Sequence, residues 1–163
     1  MSATDDLIEN AARYAERFDK RNLPVRPAKM VAVVACMDAR LIPTRILGLH
    51  EGDAHVIRNA GGVISDDAIR SLAISQLLLG TEEVVVIQHT DCGMLKLTDD
   101  ELRQRLKDAA GEDPPWPLHA LSDLEGSVRD SIRRIEQSRF IPNKDSVRGF
   151  VYEVESGKLR EVS

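Results

Sequence analysis

The sequence predicts an α/β fold: a mostly parallel central β-sheet flanked by helices, with an N-terminal helical arm. Two continuous apolar runs carry that expectation, MVAVVA at residues 30–35 and VVVI at the centre of residues 83–88. Both are rich in β-branched residues and lack polar alternation, the pattern of strands buried on both faces of a parallel sheet. Between them lies a well-signalled helix, and a strand, helix, strand order builds parallel pairs. At 163 residues the chain is read as one domain spanning 1–163, large enough to bury a single core without covalent staples.

Taken in order, residues 4–20 place Leu7, Ile8, Ala11, Ala15 and Phe18 on one face, with Thr4 as N-cap and Asp5 and Asp6 at the positive helix end. RNLPVRPAK, with its two prolines, reads as an extended connector into the strand at 30–35. A shorter strand is expected at 54–57, halted by RNAGG, whose glycines permit turns that other residues resist. Ser65 then caps a helix that runs to Leu79, carries Asp66 and Asp67 in its first turn, and stops at Gly80. Residues 83–88 form the next strand. Capping boxes at Thr98 with Glu101 and at Ser122 with Glu125 start two further helices. Between these, GEDPPWPLHA holds three prolines and the only tryptophan, and reads as an ordered surface loop, a connector or a lid. Residues 147–154 and 159–162, separated by ESGK, close the chain as a strand and a hairpin-like return.

The bulk composition excludes several classes of function. A net charge of −5 without a basic cluster argues against a nucleic-acid-binding surface, which draws its affinity from Lys and Arg. No apolar run approaches the roughly 18 residues that span a bilayer. MSATDDLIEN lacks the basic and apolar regions of a secretory signal, so a cytoplasmic protein with no membrane partner is expected. Only two cysteines occur, Cys36 and Cys92, and a reducing cytoplasm would keep them as thiols. They are read as metal ligands or as core packing.

Two motifs begin where a buried strand ends. Cys36-Met37-Asp38-Ala39-Arg40 follows the first run and His89-Thr90-Asp91-Cys92-Gly93 the second. In an open parallel sheet, groups from distant parts of the sequence converge at the carboxyl ends of the strands. Two thiolates and one imidazole suit zinc, and a Cys2His set leaves the fourth tetrahedral position for water, as catalytic zinc requires. Asp38 in that position would instead close the site. Free cysteines are commonly core residues, but packing demands neither H-x-x-C nor C-x-D-x-R, and the two patterns together favour a metal.

ACMDAR, VIRNAGG and QHTDCGM, in this order and with these separations, resemble the β-class carbonic anhydrases, and the element order fits their α/β fold over nearly the whole chain. The resemblance implies Zn2+ as cofactor, with Cys36, His89 and Cys92 as ligands and Asp38 and Arg40 as the family's paired Asp and Arg beside the metal. It implies a carbonate dehydratase, a zinc lyase that hydrates carbon dioxide reversibly to bicarbonate and a proton through zinc-bound hydroxide. A homodimer or dimer of dimers, with the site near the subunit interface, also follows. Asp38 as fourth ligand would mark an inactive state. Arg58, Asn59, Ala60 and Gly61 match the family's R-N-A-G stretch and are expected to shape the pocket wall and the backbone near the metal, or each singly to serve a tight turn without chemistry. Gly93 is read either as placing a backbone N–H beside the site or as plain turn geometry.

Two rival functions share these residues. The same centre would attack carbonyl sulfide or carbon disulfide, and a non-catalytic zinc module would have Asp38 completing the tetrahedron. Zinc with three neutral histidines brings its water to a pKa of about 7. Two thiolates cancel the metal's charge, so a higher value and better activity at alkaline pH are expected, with Arg40 pulling the other way. His50 and His55 are candidate proton shuttles or, alternatively, solvated surface histidines.

Overall fold

The computed structural model describes residues 2–163. In chain order the elements are α1 (Ala3–Glu16), β1 (Val31–Cys36), α2 (Pro43–Ile46), β2 (Ala54–Asn59), α3 (Asp66–Leu77), β3 (Glu83–His89), α4 (Asp99–Ala110), α5 (Leu124–Gln137), β4 (Val147–Tyr152) and β5 (Leu159–Val162). Short 3-10 turns at Ala60–Gly62 and Gly93–Leu95 follow β2 and β3.

The five strands make one sheet in the order β2-β1-β3-β4-β5. The first four are parallel, and β5 returns antiparallel to β4 as the hairpin signal anticipated. β1 is buried almost throughout because both its faces are covered. Ala32 and Val34 meet Ala68 and Leu72 of α3 and Ile135 of α5 on one side. Val33 and Ala35 meet Leu41, Leu121 and the half-buried Ile46 and Leu47 on the other. Each buried aliphatic side chain contributes about 1.5–3 kcal/mol, so a strand with no solvent face is anchored at every residue. From β1 the chain passes to β2 on one side, and from β3 to β4 on the other. The carboxyl ends of β1 and β3 therefore flank the crevice where such sheets place their sites.

Several boundaries differ from the sequence reading for physical reasons. The first helix is capped by Ser2 rather than Thr4: the Ser2 hydroxyl accepts the Asp5 amide, and the Asp5 carboxylate accepts the Ser2 amide. That reciprocal pair starts the helix earlier, and it ends at Glu16 rather than at residue 20. The box expected at Ser122 is displaced by one residue. Asp123, a charged acceptor at the positive helix end, takes the Gly126 amide instead. Ser65 and the Thr98–Glu101 box cap their helices as expected, and Gly80 (φ +73°) follows the end of α3. The proline-rich segment before α5 is a connector tied at its end, with the Ala120 amide on Asp99 and the Leu121 amide on the Met94 carbonyl.

Gly62 is packed directly against the backbone of two neighbouring strands. Its φ is +62°, and a Cβ there would lie 2.6 Å from the Cys36 nitrogen and 2.7 Å from the Ile87 oxygen. Only a residue without a side chain lets the turn cross the ends of β1 and β3. Gly62→Ala is expected to cost about 2–4 kcal/mol. Gly48→Ala, at φ +64° in open space, isolates the backbone contribution at about 1 kcal/mol. Urea unfolding of both variants measures the difference.

Candidate metal centre

Cys36 is the last residue of β1 and His89 the last of β3, and Cys92 follows after a tight turn. Parallel pairing sets Ala35 beside Ile87, so the two strand ends release their side chains at nearly the same level. The Cys36 and Cys92 sulfurs lie 3.9 Å apart. One donor atom from each of Cys36, His89 and Cys92 falls within 4.8 Å of the others, the only such group among the described residues. All three side chains are buried.

The donor chemistry fits zinc. His89 Nδ1 lies 2.8 Å from the Thr90 carbonyl. A carbonyl can only accept, so Nδ1 carries the proton and Nε2 carries the lone pair. That Nε2 is buried and has no hydrogen-bond partner. Tetrahedral zinc with Zn–S bonds of about 2.3 Å sets two sulfurs roughly 3.8 Å apart, close to the spacing found.

The sulfurs are also tuned by their surroundings. Cys36 accepts a hydrogen bond from the Cys92 thiol and from the backbone amides of Asp38 and Gly61, and against the effect of burial these hold it well below the ordinary thiol range. Cys92 gives up that proton reluctantly, because its S–H serves Cys36 and because it is buried, and is pushed upward. The amide aimed at the Cys92 sulfur belongs to Met94. It was expected of Gly93, which is exposed and whose carbonyl accepts the Lys96 amide.

Asp38 and Arg40 form a clamp beside this group. Arg40 Nε and Nη2 grip the two oxygens of Asp38 at 3.0 and 2.8 Å, and the Arg40 amide donates to Oδ1 at 2.9 Å. The guanidinium holds the Asp38 carboxyl well below the usual carboxylate range. Asp38 Oδ2 stands 3.7 Å from His89 Nε2, beside the three donors without being one of them.

A family model described as carbonic anhydrase matches residues 31–159. The chain is 52% identical to β-carbonic anhydrase 1 of Mycobacterium tuberculosis over 163 residues, covering 100% of this chain and 99% of that protein. The chain belongs to the β-class carbonic anhydrase family. The solved carbonic anhydrase of Streptococcus mutans superposes with a TM-score of 0.93 at 41% identity, covering 100% of this chain and 99% of the other. A carbon disulfide hydrolase of Acidithiobacillus thiooxidans is 35% identical, over 94% of this chain and 85% of that protein.

In this β-class carbonic anhydrase the R-N-A-G stretch is a set of stitches. Arg58 donates to the carbonyls of Cys36, Asp38 and Leu41, four hydrogen bonds of 2.8–3.0 Å that hold the loop after β1 in shape. Asn59 closes the next turn with both ends of its amide on Val63. Ala60 and Gly61 form that turn, Gly61 at φ +82° with its amide on the Cys36 sulfur. The sequence shows Gly62 only as a turn glycine, and it foretells neither the bracing role of Asp91 nor the amide of Met94. Their roles depend on β1 and β3 being neighbours, which no local pattern reports.

The two candidate shuttles lie elsewhere. His55 pairs in register with Ala32, four residues before the end of β1, and its Nδ1 meets the Ser75 hydroxyl at 2.7 Å. At about 3.3 Å per strand residue it is roughly 13 Å from the level of the ligands. His50 lies in the turn leading into β2, at the amino edge of the sheet. Because β2 runs parallel to β1, what precedes it is opposite to the metal end.

The shared proton is directly measurable. In the metal-free protein, ultraviolet thiolate absorbance is expected to show one thiolate per chain at neutral pH, the second appearing only far into the alkaline range. Two thiolates at neutrality, or none, would contradict the pairing.

Proposed function

We propose that this chain catalyses the reversible hydration of carbon dioxide to bicarbonate and a proton, with one zinc ion held by Cys36, His89 and Cys92. The observation that carries the reading is the buried, partnerless Nε2 of His89 beside two sulfurs 3.9 Å apart. Zinc bound there would supply a Lewis acid able to make water nucleophilic near neutral pH. The Thr90 carbonyl keeps His89 in the tautomer that points its lone pair inward. The amides of Asp38, Gly61 and Met94 spread the negative charge of the sulfurs. Asp38, ionised and fixed by Arg40, accepts a hydrogen bond from the incoming water and so leaves an oxygen lone pair facing the carbon.

The rival readings are less well supported. Identity of 52% to a β-carbonic anhydrase against 35% to a carbon disulfide hydrolase favours carbon dioxide. A closed, non-catalytic site needs Asp38 as a ligand, and both its oxygens are engaged by Arg40. The purified protein is expected to carry one zinc per chain and to hydrate carbon dioxide with activity rising toward alkaline pH. Cys36→Ser and His89→Ala should lose both metal and activity, whereas Asp38→Asn keeps the metal and loses about 10- to 100-fold in kcat. Metal-free wild-type protein, or faster turnover of carbon disulfide or carbonyl sulfide than of carbon dioxide, overturns the proposal.

We also infer a homodimer, alone or paired into a dimer of dimers. None of the residues of α1 is buried, and Leu7 and Ile8 are 65% and 66% exposed. The arm is tied to its own chain chiefly through Glu51, which accepts from the Tyr14 hydroxyl and pairs with Lys20. A helix of 14 residues is marginal in water by itself, so its apolar face needs a cover from outside the chain. Deleting residues 2–20 is expected to convert the protein to a smaller species by light scattering, and an unchanged mass would refute the arm's role. A cytoplasmic location agrees with two free thiols placed to bind metal. Among the described residues no helix is long and apolar enough to cross a membrane.

A further inference from the structure

Arg40 is held from two sides. Its Nε and Nη2 grip Asp38, while Nη1 donates to Oδ2 of Asp91 at 2.9 Å and Nη2 to the Asp91 backbone carbonyl at 3.1 Å. The second Asp91 oxygen accepts from Lys96 Nζ at 2.9 Å. The four side chains thus alternate in charge, Asp38, Arg40, Asp91, Lys96, from beside His89 out to the solvent. Asp91 lies between His89 and Cys92 in the sequence, and its φ of +52° is left-handed backbone that residues other than glycine seldom adopt. In that conformation both its carboxylate and its carbonyl meet Arg40.

We propose that Asp91 is a positioning residue: by bracing Arg40 it keeps the guanidinium fork on Asp38 and so holds the Asp38 carboxylate beside the metal rather than on it. The proposal rests on the zinc reading above. Carboxylate oxygen is a competent zinc ligand, and Asp38 Oδ2 is only 3.7 Å from the nitrogen that would bind the ion. What restrains it is an arginine side chain that is 48% exposed, and a single ion pair at such exposure is weak. Anchoring the same guanidinium to a second carboxylate and a carbonyl removes the freedom that would let the fork open. The loop that supplies His89 and Cys92 thereby also sets the acid supplied by the loop after Cys36.

Asp91→Gly removes the carboxylate while leaving a residue at ease with positive φ, and Asp91→Asn restores one oxygen for Arg40. In Asp91→Gly the zinc content should stay stoichiometric while kcat for carbon dioxide falls about three- to tenfold, with KM little changed and Asp91→Asn recovering most of the loss. The visible spectrum of the cobalt(II)-substituted Asp91→Gly protein should shift as a carboxylate joins the metal, and adding Asp38→Asn should abolish that shift. In an Arg40→Ala background Asp91→Gly should change neither kcat nor spectrum further, since it acts through Arg40. The proposal is overturned if Asp91→Gly loses the metal, if kcat and spectrum are unchanged, or if its effects persist in the absence of Arg40. Wild-type protein without stoichiometric metal would instead sink the zinc reading itself.

Discussion

Two buried sulfurs 3.9 Å apart, beside an imidazole nitrogen with no partner, are an arrangement that protein groups satisfy poorly by themselves. Leaving such a buried nitrogen without a partner costs about 1–3 kcal/mol. The surrounding structure holds the arrangement in place nonetheless. Arg58 ties down three carbonyls of the loop after Cys36, Gly62 gives up its side chain so that a turn can cross the strand ends, and three backbone amides face the sulfurs. The cluster is thus the point around which the carboxyl edge of the sheet is organised, and a cation would give its unpartnered nitrogen a bond.

The parts of this that the sequence makes legible are those encoded over short distances. MVAVVA and VVVI announce doubly buried strands, and Cys36, His89 and Cys92 stand out because chemistry-bearing residues follow directly on apolar runs. Caps were legible only approximately. Ser2 and Thr4, or Ser122 and Asp123, are competing acceptors within two residues of each other, and reciprocal pairing or charge decides between them. The Arg58 stitches, the exclusion at Gly62 and the bracing of Arg40 by Asp91 join residues 17 to 51 apart in sequence, and only the strand order brings them together. The same order removes His50 and His55 from the site, because parallel pairing sends the beginning of β2 to the opposite edge.

The fold itself is shared with proteins of different activity, including carbon disulfide hydrolases at about a third identity. Fold and activity are therefore separable, and the activity has to be argued from the groups at the site. In this chain those groups are joined into one electrostatic unit. Asp38 belongs to the first strand's loop and Asp91 to the third's, and a single guanidinium binds both. The two halves of the centre cannot shift independently without breaking charge-assisted hydrogen bonds.

The uncovered arm has a consequence for the protein as a population of molecules. The sheet owes its order to burial within one chain, but α1, with no buried residue, draws its order from whatever meets it. With the arm covered by a second chain, as proposed, mass action would govern the arm and not the sheet. On dilution of such an assembly the first helix would fray while the sheet and the helices packed on it stay intact, so the stability of the molecule would depend on its own abundance.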